Sequence, residues 1–200
     1  MTIKILGVQG SLRSVSYCAS ALETILNQAQ ERYGAEVRVL DLRRHPLPIF
    51  LPDDTSARND AMVQSAREHV SWADCFVLAT PDYHGSMSGA MKNFLDHFWT
   101  EYAGKLFAYV CASHEKGLTA MDQMRTVVRQ CYGWSLPYGV AIDSDADFDA
   151  QMKLTNERVR RRLHMLARDV TVYGHRISEQ FTEDLASDET ETFVARYRKQ

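Results

Sequence analysis

The sequence lacks long hydrophobic runs, a dense cysteine pattern and an excess of charge of one sign. No apolar run approaches the ~20 residues that a membrane-spanning helix needs, so we expect no membrane association. A net charge of −3 provides no basic surface for nucleic acid or an anionic membrane. The amino terminus leads directly into a strand-like run, and we therefore expect no signal peptide and a cytoplasmic location.

The four cysteines are too scattered to indicate a disulfide framework or a zinc site. They stand at positions 18, 75, 111 and 131, and the sequence contains no C-x-x-C pair. Cys75 and Cys111 lie within apolar runs. We therefore expect reduced, buried thiols, as in a cytosolic protein.

One acidic loop has part of a calcium-binding pattern. Its aspartates alternate along the chain as Asp143, Asp145, Asp147 and Asp149. Phe148 occupies the position where an EF-hand loop requires glycine, and Leu154 the position where it requires glutamate. The pattern thus argues against calcium, and we predict no metal site.

Strand-like and helix-like segments alternate along the chain. Predicted strands cover residues 3–8, 36–40, 75–79, 106–112 and 137–142, and predicted helices cover residues 15–33, 58–71, 88–102, 121–131 and 153–173. This alternation predicts an α/β fold with a doubly wound, five-stranded parallel sheet of order 2-1-3-4-5 and helices on both faces. Ile49 and Phe50 lie in a proline-containing loop, where they pack either beneath the loop, over the sheet end or against a partner subunit.

The loop after the first strand has the composition of an anion site. It reads Gly10-Ser11-Leu12-Arg13 and opens a helix, where free N–H groups and the helix dipole favour an anion. Hydroxyls of Ser11, Ser14 and Ser16 with the Arg13 guanidinium suit a phosphate monoester. The alternative is that Ser14 caps the helix and Arg13 is solvated. The loop has neither the dinucleotide nor the Walker pattern, which argues against a nucleoside triphosphate.

A second loop, Thr80 to Ser86, follows the most apolar strand. Pro81 and Gly85 shape its backbone, and Tyr83 and His84 add flat, polar-tipped surface for a planar ligand. Taken alone, it is equally an ordinary strand-to-helix turn. In the predicted strand order this loop meets the first loop at the switch point of the sheet. A third loop, residues 113–117, is expected at the same edge.

Four ordered motifs carry a resemblance to a known family. They are Gly10-Ser11-Leu12-Arg13-x-x-Ser16, Leu47-Pro48-Ile49-Phe50, Thr80-Pro81-Asp82-Tyr83-His84-Gly85-Ser86 and Gly89-Ala90-Met91-Lys92-Asn93-Phe94-Leu95-Asp96. The chain resembles the NADPH-dependent FMN reductase family of flavodoxin-like proteins from its first strand to about residue 165. The resemblance implies a flavodoxin-like FMN-binding domain over residues 1–175, followed by a polar extension over 176–200. That extension is either a short helix on a partner or partly disordered.

The resemblance also implies a set of cofactor-binding residues. The phosphate loop would comprise Ser11, Leu12, Arg13, Ser16 and Tyr17. The loop along the isoalloxazine would comprise Pro81, Asp82, Tyr83, His84 and Gly85, and Ser113 would start the third loop. Family members form homodimers or homotetramers, and the helix after Ser88 is the expected interface.

The activity implied is that of an FMN-dependent NAD(P)H oxidoreductase. FMN is the expected cofactor, and NADPH or NADH is the expected hydride donor. Hydride transfer is expected to follow a ping-pong mechanism to a small-molecule acceptor, which is free flavin, a quinone, an azo compound or a metal oxyanion. The flavin carries the chemistry, so no side chain is predicted to be catalytic. The alternatives are a non-enzymatic FMN-binding electron carrier and a cofactor-less interaction protein. A hydrolase is excluded because Met87 occupies the centre of the only elbow-like motif.

The chain departs from the family pattern at three places. The family usually has asparagine where this chain has His84. It usually has a glycine pair in the third loop, where His114, Glu115 and Lys116 stand here. Ser88 replaces a proline at the start of the following helix.

Overall fold

A parallel sheet forms the centre of the fold, in a computed structural model that describes residues 2–54, 56 and 59–198. Its strands are β1 (Lys4–Gln9), β2 (Glu36–Asp41), β3 (Cys75–Pro81), β4 (Leu106–Ala112), β5 (Trp134–Ser135) and β6 (Val140–Ile142). They lie in the order β2-β1-β3-β4-β5, and β6 also pairs with β4. The predicted order 2-1-3-4-5 is confirmed.

The fifth strand is broken into two pieces, which corrects the predicted single strand over residues 137–142. β5 pairs with Leu106 and Phe107 at one end of β4, whereas β6 pairs with residues 110–112 at the other. Pro137 lies between them, and proline has no N–H to donate to a strand ladder. The sheet therefore has six strands.

Helices cover both faces of the sheet. They are α1 (Tyr17–Tyr33), α2 (Ala61–Trp72), α3 (Gly89–Asp96), α4 (Leu118–Gln130), α5 (Ser144–Asp147) and α6 (Glu157–Ala186), with 3-10 helices at Thr100–Tyr102 and Phe193–Tyr197. α1 and α6 pack on one face, and α2, α3 and α4 on the other. Every residue of β3 is buried, with Val77 on the first face and Phe76 on the second. Each such side chain contributes about 1.5–3 kcal/mol by burial.

The ends of α1 follow from its sequence. The Ser16 hydroxyl caps its amino end by accepting a hydrogen bond from the Ala19 N–H. Gly34 ends it in the left-handed conformation, with φ of 69°, as the sequence predicts. Ser16, rather than the alternative Ser14, is the cap.

Two other helix boundaries differ from the predictions. The helix predicted over residues 88–102 ends at Asp96, because the backbone of Trp99 leaves helical geometry before a separate 3-10 turn. Its apolar positions Phe98 and Tyr102 are nevertheless buried. α2 begins at Ala61, and Arg58, the predicted start, lies outside the described residues.

The last helix is longer than the predicted 153–173. α6 continues through position 175 to Ala186, because Phe181 on its second half packs against Gly104, where a side chain would have no room. The following segment folds back on the same chain, with its Phe193 ring stacked on Tyr132 and Val194 fully buried. Within the described residues, no helix is long and apolar enough to cross a membrane.

Candidate flavin site

A cavity opens at the carboxyl edge of the sheet, where the three predicted loops meet. Its volume is about 950 Å³, within the usual range for a ligand site. Nine of the eleven predicted cofactor-binding residues line it: Ser11, Arg13, Ser16, Tyr17, Pro81, Asp82, Tyr83, Gly85 and Ser113. The structure therefore brings together residues more than a hundred positions apart in the chain.

Leu12 and His84 are not among the residues that line this cavity. Leu12 is exposed and lines a smaller cavity with Ile49 and Asn93. His84 is an exposed turn residue with φ of 58°. Both lie next to lining residues in the sequence, which places their backbones close to the cavity.

The first loop presents donors at the start of α1. Ser11 is only 2% exposed, and its hydroxyl accepts from the Arg13 N–H at 3.3 Å. Within the described chain, the Ser11 N–H has no protein acceptor and the exposed Arg13 guanidinium has no ion-pair partner. These groups, with the amino end of α1, form a donor set that suits a phosphate.

Two buried side chains tie the first loop to the second. The Ser88 hydroxyl donates to the Gly10 carbonyl at 2.6 Å, and the Ser88 N–H donates to Thr80 Oγ1 at 2.9 Å. The Gly10 N–H in turn donates to the Ala79 carbonyl at 2.8 Å. These bonds fix the two loops relative to each other at the ends of the neighbouring strands β1 and β3.

The second loop is a tight turn with left-handed backbone at its two central residues. His84 and Gly85 have φ of 58° and 77°, as a type I′ turn requires, and Tyr83 and Ser86 exchange backbone hydrogen bonds. Histidine is one of the residues enriched at positive φ, as asparagine is. The departure at His84 therefore preserves the turn.

The third loop is fastened to the second through Asp82. Ser113 Oγ donates to Asp82 Oδ2 at 3.1 Å, and the Gly85 N–H donates to Asp82 Oδ1 at 2.8 Å. The Ser113 N–H also donates to the carbonyl of Ile142 at the end of β6. The carboxylate of Asp82, predicted as a cofactor contact, thus holds two loops together.

His114, at the rim of the cavity, lies close to two aspartates. His114 Nδ1 is 3.6 Å from Asp143 Oδ1 and 3.9 Å from Asp145 Oδ2. The Asp145 N–H lowers the pKa of the Asp143 carboxyl, and the nearby imidazole lowers it further. The charged third loop that replaces the glycine pair is thereby anchored to the start of α5.

The sequence alone did not reveal part of the cavity lining, or the hydrogen bonds of Ser88 and Asp82 that connect the loops. The third loop was expected at this edge, but the lining residues Val15, Cys18, Ala112, Leu118, Thr119 and Ser144 were missed. Ser88 stands before an apolar helix and is recognisable as a cap. Its acceptor Gly10, however, is 78 residues away, and no local pattern indicates that contact.

The sheet order and this edge cavity define a doubly wound, flavodoxin-like protein. The sequence matches the NADPH-dependent FMN reductase family over residues 3–147, and the chain belongs to that family. It is therefore an oxidoreductase, and the cofactors of its family are FMN and NAD(P)H.

Relatives and solved structures agree with this assignment. The chain is 29% identical over 168 residues to an NAD(P)H-dependent FMN reductase of Pseudomonas aeruginosa, covering 79% of this chain and 88% of the relative. It is 30% identical over 135 residues to an FMN-dependent NADPH-azoreductase of Staphylococcus aureus, covering 64% and 71%. The crystal structure of an apo NADH:FMN oxidoreductase covers 86% of this chain and 90% of its own, with a TM-score of 0.70 and 19% identity. This last likeness shows the fold.

Proposed function

We propose that the protein binds FMN in the edge cavity and transfers hydride from NADPH or NADH to a small acceptor by a ping-pong mechanism. One observation carries this proposal: the α1 loop and the loops after β3 and β4 converge on one cavity. The flavin would supply the redox chemistry, since it accepts a hydride and passes electrons on.

The chain's own residues bind and orient. Ser11, Arg13 and Ser16 suit the phosphate, because they combine short hydroxyls, a charged fork and a helix amino end. Pro81 to Gly85 would lie along the ring, and Ser113 would fix the third loop beside it. We propose residues 1–175 as the FMN-binding unit, since the whole lining lies within it.

A ping-pong mechanism requires the acceptor to occupy the space that the nicotinamide leaves. The exposed side chains of Tyr83 and Leu118 at the cavity suit planar, partly apolar acceptors such as free flavins, quinones and azo compounds, and its exposed Lys116 suits metal oxyanions. The test is initial-rate kinetics with NADPH and a quinone varied together. Parallel double-reciprocal lines are expected, and intersecting lines would exclude the ping-pong order.

We also propose a homodimer or homotetramer, formed through an apolar patch beside α3. Ile49, Leu51 and Trp99 are 71%, 53% and 65% exposed. Leu51 and Trp99 line one cavity with Phe50, and Ile49 is the neighbour of Phe50 in the chain. Light scattering should give at least twice the chain mass, and Trp99→Ser should lower it. A monomeric wild-type protein would reject this part of the proposal.

A cytoplasmic location is the setting that we propose for the four free, buried cysteines. Fractionation of the native host with an antibody against the protein would test it. Recovery from the cytoplasmic fraction is expected, and recovery from an extracellular or envelope fraction would contradict it.

A further inference from the structure

Ser88 occupies a position from which it controls the backbone of the first loop. Ser88, Thr80 and Gly10 are all buried, and Ser88 is only 3% exposed. The Ser88 hydroxyl donates to the Gly10 carbonyl at 2.6 Å while accepting from the Met91 N–H at 3.1 Å. Because water has little access to this site, a lost bond would leave a polar group unsatisfied.

The Gly10 carbonyl and the Ser11 N–H belong to the same planar peptide group. In a trans peptide these two groups point in opposite directions, so a donor that fixes the carbonyl also fixes the N–H. Within the described residues, the Ser11 N–H has no protein acceptor, and Ser11 lines the cavity. The Ser88 hydroxyl, at the start of α3, therefore sets the direction of the Ser11 N–H, which is a potential donor to the ligand.

The Ser88 backbone makes the other half of the connection. Its N–H donates to Thr80 Oγ1 at 2.9 Å, and Thr80 is the first residue of the second loop. There is little space for the first loop to shift, because a side chain at Gly10 would come within 2.9 Å of Met91 Cε. One residue thus sets the positions of both loops.

We infer that Ser88 is a positioning residue for phosphate recognition, acting through the Gly10–Ser11 peptide. This inference rests on the proposed function, since the phosphate is that of FMN. A proline at this position would have neither the hydroxyl nor the N–H. The positioning therefore depends on a serine at residue 88.

The test compares FMN with riboflavin, which lacks the phosphate, by titrating flavin fluorescence with wild-type protein and Ser88→Ala. If Ser88 orients the Ser11 N–H towards the phosphate, Ser88→Ala should bind FMN about tenfold more weakly. Its affinity for riboflavin should be unchanged. Asp60→Ala is the matched control. It removes the cap of α2, where Asp60 accepts from the N–H groups of Met62 and Val63, without touching either loop.

The outcomes test the positioning role of Ser88 separately from the proposed binding of FMN. An unchanged ratio of FMN to riboflavin affinity in Ser88→Ala, or an equal loss of FMN affinity in Asp60→Ala, would overturn the positioning role. If the wild-type protein binds neither flavin, the proposed function itself fails. Should Ser88→Ala not fold, Thr80→Val removes the acceptor of the Ser88 N–H and should lower the same ratio, whereas an unchanged ratio there would overturn the inference.

Discussion

The carboxylate of Asp82 and the hydroxyl of Ser113 join two loops of the cavity through a hydrogen bond of 3.1 Å. The same carboxylate accepts the Gly85 N–H at 2.8 Å, so it also closes the second loop. Asp82 and Ser113 are 31 residues apart and follow neighbouring strands. These bonds add to the backbone hydrogen bond from the Asp82 N–H to the Ala112 carbonyl in fixing the two loops relative to each other.

A double-mutant cycle with Asp82→Ala and Ser113→Ala should detect this connection. We expect each single change to lower the free energy of unfolding, and the coupling between them to be about 1 kcal/mol, as for one hydrogen bond. Each change also removes the acceptor of a second N–H, that of Gly85 in Asp82→Ala and that of Glu115 in Ser113→Ala. Urea denaturation measures all four proteins. Strictly additive effects would show that the hydrogen bond contributes nothing.

Arg13 provides the most direct test of the phosphate site. Arg13→Ala should weaken FMN binding by about 1.5–3 kcal/mol, because a charged hydrogen bond to the phosphate is lost. Arg32→Ala is a suitable control, since Arg32 is exposed in the last turn of α1, at the end away from the first loop. Fluorescence titration measures both. Unchanged FMN affinity in Arg13→Ala would refute the assignment.

The hydroxyl of Tyr102 is buried and has no partner within the described part of the chain. The ring of Tyr102 packs against other aromatic rings, including those of Phe76, Phe98 and Phe107. Tyr102→Phe should therefore raise the free energy of unfolding, by about 1–3 kcal/mol if the full cost of an unsatisfied donor is recovered. A loss of stability in urea denaturation would mean that the hydroxyl has a partner, such as a buried water.

Tyr109 is the matched control for this substitution. It is equally buried, but its hydroxyl is 2.6 Å from Ser135 Oγ, so that a hydrogen bond is formed. Tyr109→Phe should lower the free energy of unfolding by about 1 kcal/mol. The opposite signs of the two changes separate the effect of the hydroxyl from that of the ring.

The buried thiols give the protein a defined response to alkaline pH. Burial raises the pKa of Cys18 and Cys111 from 9.0 to about 12. Above pH 9 the unfolded chain loses these protons while the folded protein retains them. Stability is therefore lost as the pH rises from 9 towards 12, by at most about 1.4 kcal/mol per pH unit for each thiol.

Urea denaturation near pH 8 and near pH 10 tests this response. The wild-type protein should lose more stability between the two than a Cys18→Ala/Cys111→Ala variant. Burial also lowers the pKa of Lys105 to about 8, which favours the folded state as the pH rises. That contribution is present in both proteins and cancels. Equal losses of stability in the two proteins would mean that the Cys18 and Cys111 thiols have the same pKa in the folded and unfolded states.

Much of the sheet could be predicted from local sequence. The run from Cys75 to Ala79 is apolar at every position, as a strand buried on both faces must be, and it forms the middle of the sheet. Gly34 marked the end of α1 because a left-handed residue is needed there. Such features depend on neighbours in the chain, which the sequence displays directly.

Features that depend on distant contacts could not be predicted. The length of α6 depends on Phe181 meeting Gly104, 77 positions earlier in the chain. The roles of Ser88 and Asp82 depend on acceptors and donors in other loops. In the sequence, Ser88 is recognisable only as a helix cap and Asp82 only as a candidate cofactor contact. The fold shows that both connect the loops of the cavity.

The most direct test of the central claim is the visible absorption spectrum of the purified protein with FMN, followed by anaerobic addition of NADPH. We predict the spectrum of bound oxidised flavin and its rapid bleaching on addition of the nucleotide. A flavin that stays oxidised with both NADPH and NADH would favour an electron carrier. No FMN binding, even with FMN in excess, would contradict the assignment of the cavity.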